Sequence, residues 1–186
     1  MDKFNLDKVI KAIEQQKREL PILLGNDTKN YFLSSWNKKR WGNENWPEVQ
    51  RRIAGTKAYQ SASKSARTRS ILVQSGRLRR DVANSLRVAT WDKIQFSVQN
   101  PYAAIHNYGG TIEKKERLHK LSFNEKGKWT KTRTEKQRKK VAFTRVAAIG
   151  GHGIQIPKRQ FIGQTGELTQ KQTKLIMRQM AKIWQA

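Results

Sequence analysis

Residues 71–99 read ILVQSGRLRRDVANSLRVATWDKIQFSVQ, and this stretch is the centre of the predicted fold. Ser75-Gly76 favours a turn. The apolar residues that follow recur every four positions, at Leu78, Val82 and Leu86, which predicts a short helix. Beyond Leu86 apolar and polar residues alternate, and Asp92-Lys93 can turn the chain. Residues 86–99 are therefore predicted to form a β-hairpin.

The residues before this centre predict two helices. Asn5 can cap a helix over residues 5–20, which Pro21 ends or kinks because proline has no backbone N–H. A second helix is expected to begin near residue 26 or 27 and to present Tyr31, Phe32 and Trp36 on one face.

Two stretches between these helices and the centre are predicted to be irregular. Residues 37–50 contain Trp41 and Trp46-Pro47, and we expect a loop held down by its aromatic side chains. Residues 61–70 are small and basic, and we expect a solvated link.

The chain after the hairpin predicts three further elements. Pro101 can open a short helix that Gly109-Gly110 closes. Residues 154–157 read as a last strand, which Pro157 stops. Residues 166–185 form the clearest predicted helix, since most of its apolar residues share one face, at Leu168, Leu175, Ile176, Met180 and Ile183.

The composition predicts one modest core with long polar excursions. The chain has 186 residues, a hydrophobic fraction of 36% and a mean hydropathy of −0.84. The absence of cysteine excludes disulfides and thiolate chemistry. No apolar run approaches the roughly 18 residues of a membrane span, and the N-terminus lacks the apolar core of a secretion signal. We expect a chain that is soluble and cytoplasmic at synthesis, with no membrane partner.

The net charge of +25 indicates a polyanion or an acidic protein surface as partner. It is densest in residues 113–140, with twelve Lys or Arg against four Glu. We expect an extended, partly mobile excursion with a hairpin tip at residues 125–128. Interleaved Phe123 and Trp129 would suit base stacking beside phosphate contacts, and an acidic protein neighbour fits equally well. The candidate polyanion-binding residues are Lys114, Lys115, Arg117, Lys120, Lys126, Lys128, Lys131, Arg133, Lys136, Arg138, Lys139 and Lys140.

The sequence contains no pattern typical of an enzyme. Its three histidines, His106, His119 and His152, lack the spacing of helical metal ligands. The carboxylates are scattered in polar segments, which does not favour acid–base catalysis. The glycine-rich stretches fit turns better than phosphate cradles. We predict no catalytic residue, no metal and no cofactor; a nuclease or a cell-wall hydrolase is the enzyme alternative.

Several segments together resemble a known family. They are Leu72-Val73-Gln74-Ser75-Gly76-Arg77-Leu78-Arg79, Tyr102-Ala103-Ala104-Ile105-His106-Asn107-Tyr108-Gly109-Gly110, Ile156-Pro157-Lys158-Arg159-Gln160-Phe161-Ile162-Gly163, and Trp41 to Trp46-Pro47. Their order and spacing resemble the phage virion morphogenesis family, the tail-completion proteins of Mu-like and P2-like phages, over roughly residues 30–185. The mild departures from the family pattern are Ser75 for Thr, Asn107 for Gln, Gln160 for Pro and Ile162 for Leu. The basic insertion after Gly110 is unusual in its charge.

The resemblance implies an α+β fold in which helices pack on an antiparallel β-sheet. N-terminal helices, a short central helix and a long C-terminal helix are the expected helical elements. We divide the chain into an N-terminal helical arm with a Trp-rich loop, residues 1–60, and an α+β core domain, residues 61–186. The basic excursion, residues 111–140, extends from that domain as a loop or hairpin.

The resemblance also implies a structural virion protein of the tail or of the head–tail junction (the neck). Such a protein assembles in the host cytoplasm as a homo-oligomeric ring, with six-fold symmetry among the candidates. Its implied partners are connector, tail terminator or tail tube proteins, with transient contact to DNA. The alternative is a protein that binds nucleic acid through residues 113–140 without reading its sequence.

The motif residues are expected mainly to hold the fold together, with an interface as their second role. They are Trp46, Pro47, Gly76, Leu78, Arg79, Tyr102, Ala103, His106, Gly109, Gly110, Pro157, Arg159 and Phe161. Tyr102 and Phe161 are predicted to be core residues. On that basis, truncating either to alanine would cost about 3 kcal/mol or more.

Overall fold

The structure is a computed structural model that describes residues 6–130 and 135–184. Its helices are α1 (Leu6–Lys38), α2 (Lys57–Ser61), α3 (Lys64–Thr68), α4 (Arg77–Ala83), α5 (Ala103–Tyr108), α6 (Glu135–Arg138) and α7 (Gly166–Ile183), with a 3-10 turn at Gln50–Arg52. Its strands are β1 (Arg40–Trp41), β2 (Glu44–Asn45), β3 (Leu86–Ala89), β4 (Ile94–Phe96), β5 (Gly110–Lys114), β6 (Arg117–Phe123), β7 (Phe143–Ile149) and β8 (His152–Ile156). The predicted α+β class is confirmed. Over the described residues the strands form two-stranded antiparallel sheets, β1–β2, β3–β4, β5–β8 and β6–β7, rather than one larger sheet.

The chain folds as two compact units. The first, called the body, contains residues 6–109 and 157–184, and the second, called the ribbon, contains residues 110–156. This division differs from the predicted boundary at residue 60. The reason is that Trp36 and Trp46, from the expected N-terminal arm, lie in the same core cluster as Phe161.

The body is built around an aromatic core. Its buried residues are Tyr31, Phe32, Trp36, Trp41, Trp46, Ile71, Leu78, Val82, Phe161 and Leu168. The ring centroid of Trp36 lies 5.0 Å from that of Phe161 and 5.7 Å from that of Trp46. Ring pairs of this kind contribute about 0.5–1.5 kcal/mol each beyond the area they bury. The aromatic side chains therefore anchor residues 37–50, which were expected to be a loop and contain the end of α1, the β1–β2 hairpin and an irregular stretch at 46–49.

Helix α1 continues through Pro21, so the two predicted N-terminal helices are one. Pro21 cannot donate to the carbonyl of Lys17, a loss that costs about 3 kcal/mol in an isolated helix. Buried residues on both sides of the proline outweigh that cost, at Leu20, Gly25, Thr28, Tyr31 and Phe32. Gly25 also permits close packing, because a Cβ there would lie 3.0 Å from both methyl carbons of Leu86. The predicted Asn5 cap lies outside the described residues.

The expected solvated link at residues 61–70 contains the end of α2 and all of α3. The hydroxyls of Thr56 and Ser63 cap these two helices, since each accepts a hydrogen bond from a backbone N–H three residues on. Arg51, which precedes this segment in the sequence, stabilises it: its Nε donates to the carbonyl of Ala66 at 2.8 Å. Local capping and the hydrogen bonds from Arg51 to the carbonyls of Ala66, Arg69 and Ser70 therefore order a stretch whose composition predicted a solvated link.

The other predicted elements of the body are confirmed. Helix α4 and the β3–β4 hairpin lie within residues 77–96, and the hairpin turns through paired hydrogen bonds between the backbones of Thr90 and Lys93. Helix α7 begins where the hydroxyl of Thr165 accepts from the backbone N–H of Leu168 at 3.1 Å. Within the described ranges, none of the helices is both long and apolar enough to span a bilayer.

The ribbon is a long antiparallel pair of strands in one register. Gly110 pairs with Ile156 and Lys114 with His152 in β5–β8, and Arg117 pairs with Ile149 and Phe123 with Phe143 in β6–β7. Only residues 115–116 and 150–151 interrupt the pairing. At about 3.3 Å per residue, each fourteen-residue side has a contour length of about 45 Å.

The basic excursion therefore extends further than residues 111–140, because its partner strand runs to Ile156. Residues 124–128 form the predicted tip, where the backbone N–H of Asn124 donates to the carbonyl of Lys128 at 3.0 Å. The predicted last strand, at residues 154–156, is part of β8 and pairs within the ribbon. Long-range strand pairing thus orders residues 110–114 and 117–123, part of the segment whose charge predicted mobility.

Candidate functional site

The motif segments meet around the buried side chain of Asn107, at the end of α5. Asn107 is 4% exposed. Its Oδ1 accepts from the backbone N–H groups of Phe161 and Ile162, both at 3.0 Å, and its Nδ2 donates to the carbonyl of Ile162 at 3.2 Å. One amide side chain therefore satisfies three backbone groups of the segment that precedes α7.

Arg159 ties the same segment to the residues after Trp46. Its backbone N–H donates to the carbonyl of His106 at 2.8 Å, and its Nε donates to the carbonyl of Pro47 at 2.9 Å. The indole N–H of Trp46 donates in turn to the carbonyl of Gln160 at 2.7 Å. Three stretches far apart in the sequence are thus joined by hydrogen bonds at one place.

The guanidinium of Arg159 is buried without a counter-charge. The residue is 6% exposed, and no carboxylate oxygen of the described chain lies within 4.0 Å of it. Burial lowers the pKa of Arg159, the nearby charge of Arg51 lowers it further, and Glu48 partly opposes both. Carbonyl oxygens satisfy its hydrogen bonds but leave its positive charge unpaired.

Arg159 lies at an open cleft of about 710 Å³ in the body. Three more arginines line it, Arg51, Arg69 and Arg77, together with Tyr102 and His106. The Nδ1 atom of His106 is buried from solvent and has no hydrogen-bond partner among the described residues. The cleft thus combines concave shape and positive charge.

The candidate polyanion-binding residues occupy the ribbon and not this cleft. Those whose side chains are described are all exposed, at Lys114, Lys115, Arg117, Lys120, Lys126, Lys128, Arg138, Lys139 and Lys140. Lys131 and Arg133, and the side chain of Lys136, lie outside the described residues. No group of three or more His, Asp or Glu side chains close enough to share a metal ion occurs in the described part of the chain.

A comparison with protein-family models identifies the family of this chain. The model of the phage virion morphogenesis family matches residues 44–181. The chain belongs to the phage virion morphogenesis family. Its role therefore lies in the assembly of a phage virion. No curated protein and no solved structure matches the chain.

The family motif residues divide into three groups in the structure. Those buried in the body are Trp46, Leu78, Arg159 and Phe161. Those partly buried are Gly76, Ala103, His106 and Gly109, and those exposed are Pro47, Arg79, Tyr102, Gly110 and Pro157. Gly76 and Gly109 have φ angles of 72° and 75°, which glycine adopts without strain.

The prediction that Tyr102 is a core residue is wrong. It is 63% exposed, at the mouth of the cleft, whereas Phe161 is fully buried. The reason is that Tyr102 precedes α5 at its N-cap, and the helix directs Asn107 inward instead.

Two residues of the candidate site, Arg51 and Asn107, were not identified from the sequence. Arg51 lies in no family motif, and its role depends on carbonyls of residues 66–70 that only the fold brings near. Asn107 appeared only as a departure from the motif, and its hydrogen bonds reach residues 54 and 55 positions away, so no local pattern indicated its role.

His106 gives the body a pH-dependent stability. Burial lowers the pKa of His106 below its ordinary value of 6.5, and the charge of Arg159 lowers it further. Because the unfolded chain binds this proton more readily, stability is complete above pH 6.5 and falls as the pH decreases toward the lowered pKa. Urea unfolding between about pH 7.5 and 5.5 should therefore show a shallower loss of stability for His106→Gln than for the wild type. His119→Gln, in the ribbon, is the control, and equal slopes for all three proteins would contradict the assignment.

Proposed function

We propose that the protein is a non-enzymatic structural subunit of the phage tail end or head–tail junction, and that it assembles as a homo-oligomeric ring through its ribbon. The observation that carries the proposal is the apolar surface that the ribbon leaves in solvent. Leu118 is 75% exposed and Val146 is 65% exposed. Large apolar side chains at such exposure are typical of surfaces that bind another protein.

Strand register places these side chains on one face. Leu118 is opposite Ala148, and Lys120 is opposite Val146. Residues directly opposite each other, and residues two apart on one strand, point to the same side of a sheet. Leu118, Val146 and Ala148 therefore form one apolar patch.

Among the described residues, the outer edges of the ribbon's strands pair with no further strand, apart from a single bridge between Phe123 and Trp129. A two-stranded sheet is marginally stable in water unless something packs on it, and its outer edges can pair with a strand from another chain. A neighbouring subunit that adds a strand or covers the Leu118 patch would supply both kinds of contact. This requirement for a neighbour supports an oligomeric ring.

The Leu118→Glu variant tests the proposal. A charge in the centre of an apolar contact must be desolvated, so we expect the dissociation constant of the oligomer to rise by about tenfold or more. Light scattering after size-exclusion chromatography, and sedimentation velocity over a range of protein concentrations, measure that change.

His119→Glu is the matched control. His119 is the next residue of β6, is also exposed, and points to the opposite face. Both substitutions add one negative charge, so equal effects would indicate that charge, or the face that His119 shares with Ala147 and Ile149, controls association. A wild-type chain that stays monomeric at every protein and salt concentration, with no phage protein bound, would contradict the proposal that the protein forms a ring.

Binding of nucleic acid through residues 113–140 stays a prediction. One observation counts against base stacking on Phe123: its ring stacks on Phe143, with centroids 5.2 Å apart and planes 13° from parallel. One face of that ring is therefore already covered. Binding of DNA that persists when Lys126 and Lys128 at the tip are changed to Gln would argue against contacts at the tip.

A further inference from the structure

The arginine-lined cleft of the body carries charge that the chain itself does not neutralise. Arg51 and Arg159 direct N–H groups at backbone carbonyls. Within the described residues, none of the cleft arginines lies within 4.0 Å of a carboxylate. Glu48, whose charge raises the pKa of Arg51 and Arg159, pairs with Arg52 at 3.3 Å. Asp81 accepts at 2.8 Å from the Nδ2 of Asn100, which lines the cleft.

These positive charges act on one another inside the fold. Burial lowers the pKa of Arg51, and the charge of Arg69 lowers it further. The charge of Arg51 has the same effect on the pKa of Arg159, after burial. Like charges gathered in a concave, partly desolvated site favour the entry of an anion, because field strength rises where water is excluded.

The walls of the cleft are apolar as well as basic. Val49, Leu72 and Leu78 line it, and Tyr102 stands exposed at its mouth. A matching ligand has carboxylates for the arginines and apolar side chains for the walls.

We propose that this cleft binds an acidic segment of a different virion protein, whose carboxylates pair with Arg69 and Arg77. Arginine favours this partner because its planar fork matches a carboxylate with two parallel hydrogen bonds. A second copy of the chain is a poor occupant, because it brings 39 Lys and Arg against 14 Asp and Glu. A nucleic-acid backbone suits the exposed cations along the ribbon better than a concave site with apolar walls.

The proposal is independent of the ring. The cleft lies in the body, whereas the patch that contains Leu118 lies in the ribbon. Changes in the cleft should leave the oligomeric state unaltered, and Leu118→Glu should leave binding at the cleft unaltered. The two proposals can therefore fail separately.

Calorimetric titration with the acetylated and amidated peptide Glu-Glu-Leu-Glu-Glu, at about 150 mM salt, tests the cleft. The double variant Arg69→Gln/Arg77→Gln should bind the peptide about tenfold more weakly or worse, because each charged hydrogen bond is lost. Arg87→Gln/Arg178→Gln is the matched control. It removes the same charge from exposed positions of β3 and α7 that do not line the cleft, and should bind as the wild type does.

Nitrogen-15 labelling of histidine locates the bound peptide. The chain has three histidines, one at the cleft and two in the ribbon. The peptide should shift the ring signals of His106 and leave those of His119 and His152 in place. Signals that shift only in the ribbon, equal losses in the two double variants, no binding to the wild type, or displacement of the peptide by a short DNA duplex would each overturn the proposal.

Discussion

Replacing Phe161 with alanine is expected to lower the free energy of unfolding of the body by about 3–5 kcal/mol, because it leaves a large cavity in a packed core. Phe161 is fully buried, and its ring lies 5.0 Å from that of Trp36. Domains are stable by only about 5–15 kcal/mol, so this one change removes much of the total. Urea unfolding followed by tryptophan fluorescence measures it, since Trp36 reports directly on the cavity.

Tyr102→Ala is the matched control for Phe161→Ala. Both residues are aromatic members of the family motifs, and the sequence predicted core positions for both. Tyr102 is 63% exposed, so its truncation should cost less than about 1 kcal/mol. Equal destabilisation by the two changes would place Tyr102 in the core and contradict the structure.

The elements that sequence predicted well are those that local chemistry determines. Leu78 and Val82 share one face of α4, and the alternation after Leu86 matches the β3–β4 hairpin. Helix α7 begins at a threonine cap and keeps its apolar face. In each case the period of the apolar residues and the turn chemistry agree, so no distant contact is needed to choose the structure.

The elements that sequence missed depend on distant contacts. Pro21 predicted a break that tertiary burial on both sides of it overrides. The register of the ribbon joins residues 110–123 to residues 143–156, and their charge and weak alternation hide that pairing. Contacts of such sequence separation leave no local pattern to read.

The sequence predicted only those residues of the candidate site that belong to the family motifs. Arg159 and His106 were named from the motifs, but their convergence with Arg51 and Arg69 on one cleft was not. Arg51 and Arg69 lie in polar stretches of the sequence, where a basic side chain is ordinarily expected to be exposed to solvent. Only the fold shows that Arg51 donates to the backbone carbonyls of Ala66, Arg69 and Ser70, and that within the described residues neither arginine lies within 4.0 Å of a carboxylate oxygen.

Removing the ribbon is expected to abolish assembly and leave the body folded. The register makes a clean deletion possible: Gly110 and Ile156 are directly opposite, so their Cα atoms are about 5 Å apart. A Gly-Ser-Gly-Ser linker in place of residues 111–155 spans that distance. The buried core cluster belongs entirely to the body, so the truncated chain should unfold in one cooperative step and remain monomeric. Circular dichroism and sedimentation velocity measure the two outcomes.

The deletion also removes charge, since residues 110–156 hold thirteen Lys or Arg against four Glu. Leu118→Glu in the full chain separates the two causes, because it retains almost all of that charge and alters the apolar patch. If the patch drives association, both proteins lose assembly; if ion pairs drive it, the deletion loses assembly, Leu118→Glu affects it no more than His119→Glu does, and raised salt reproduces the loss. If the truncated chain assembles like the wild type, the subunit contacts lie in the body and not in the ribbon. A truncated chain that fails to fold would show that the body depends on the ribbon.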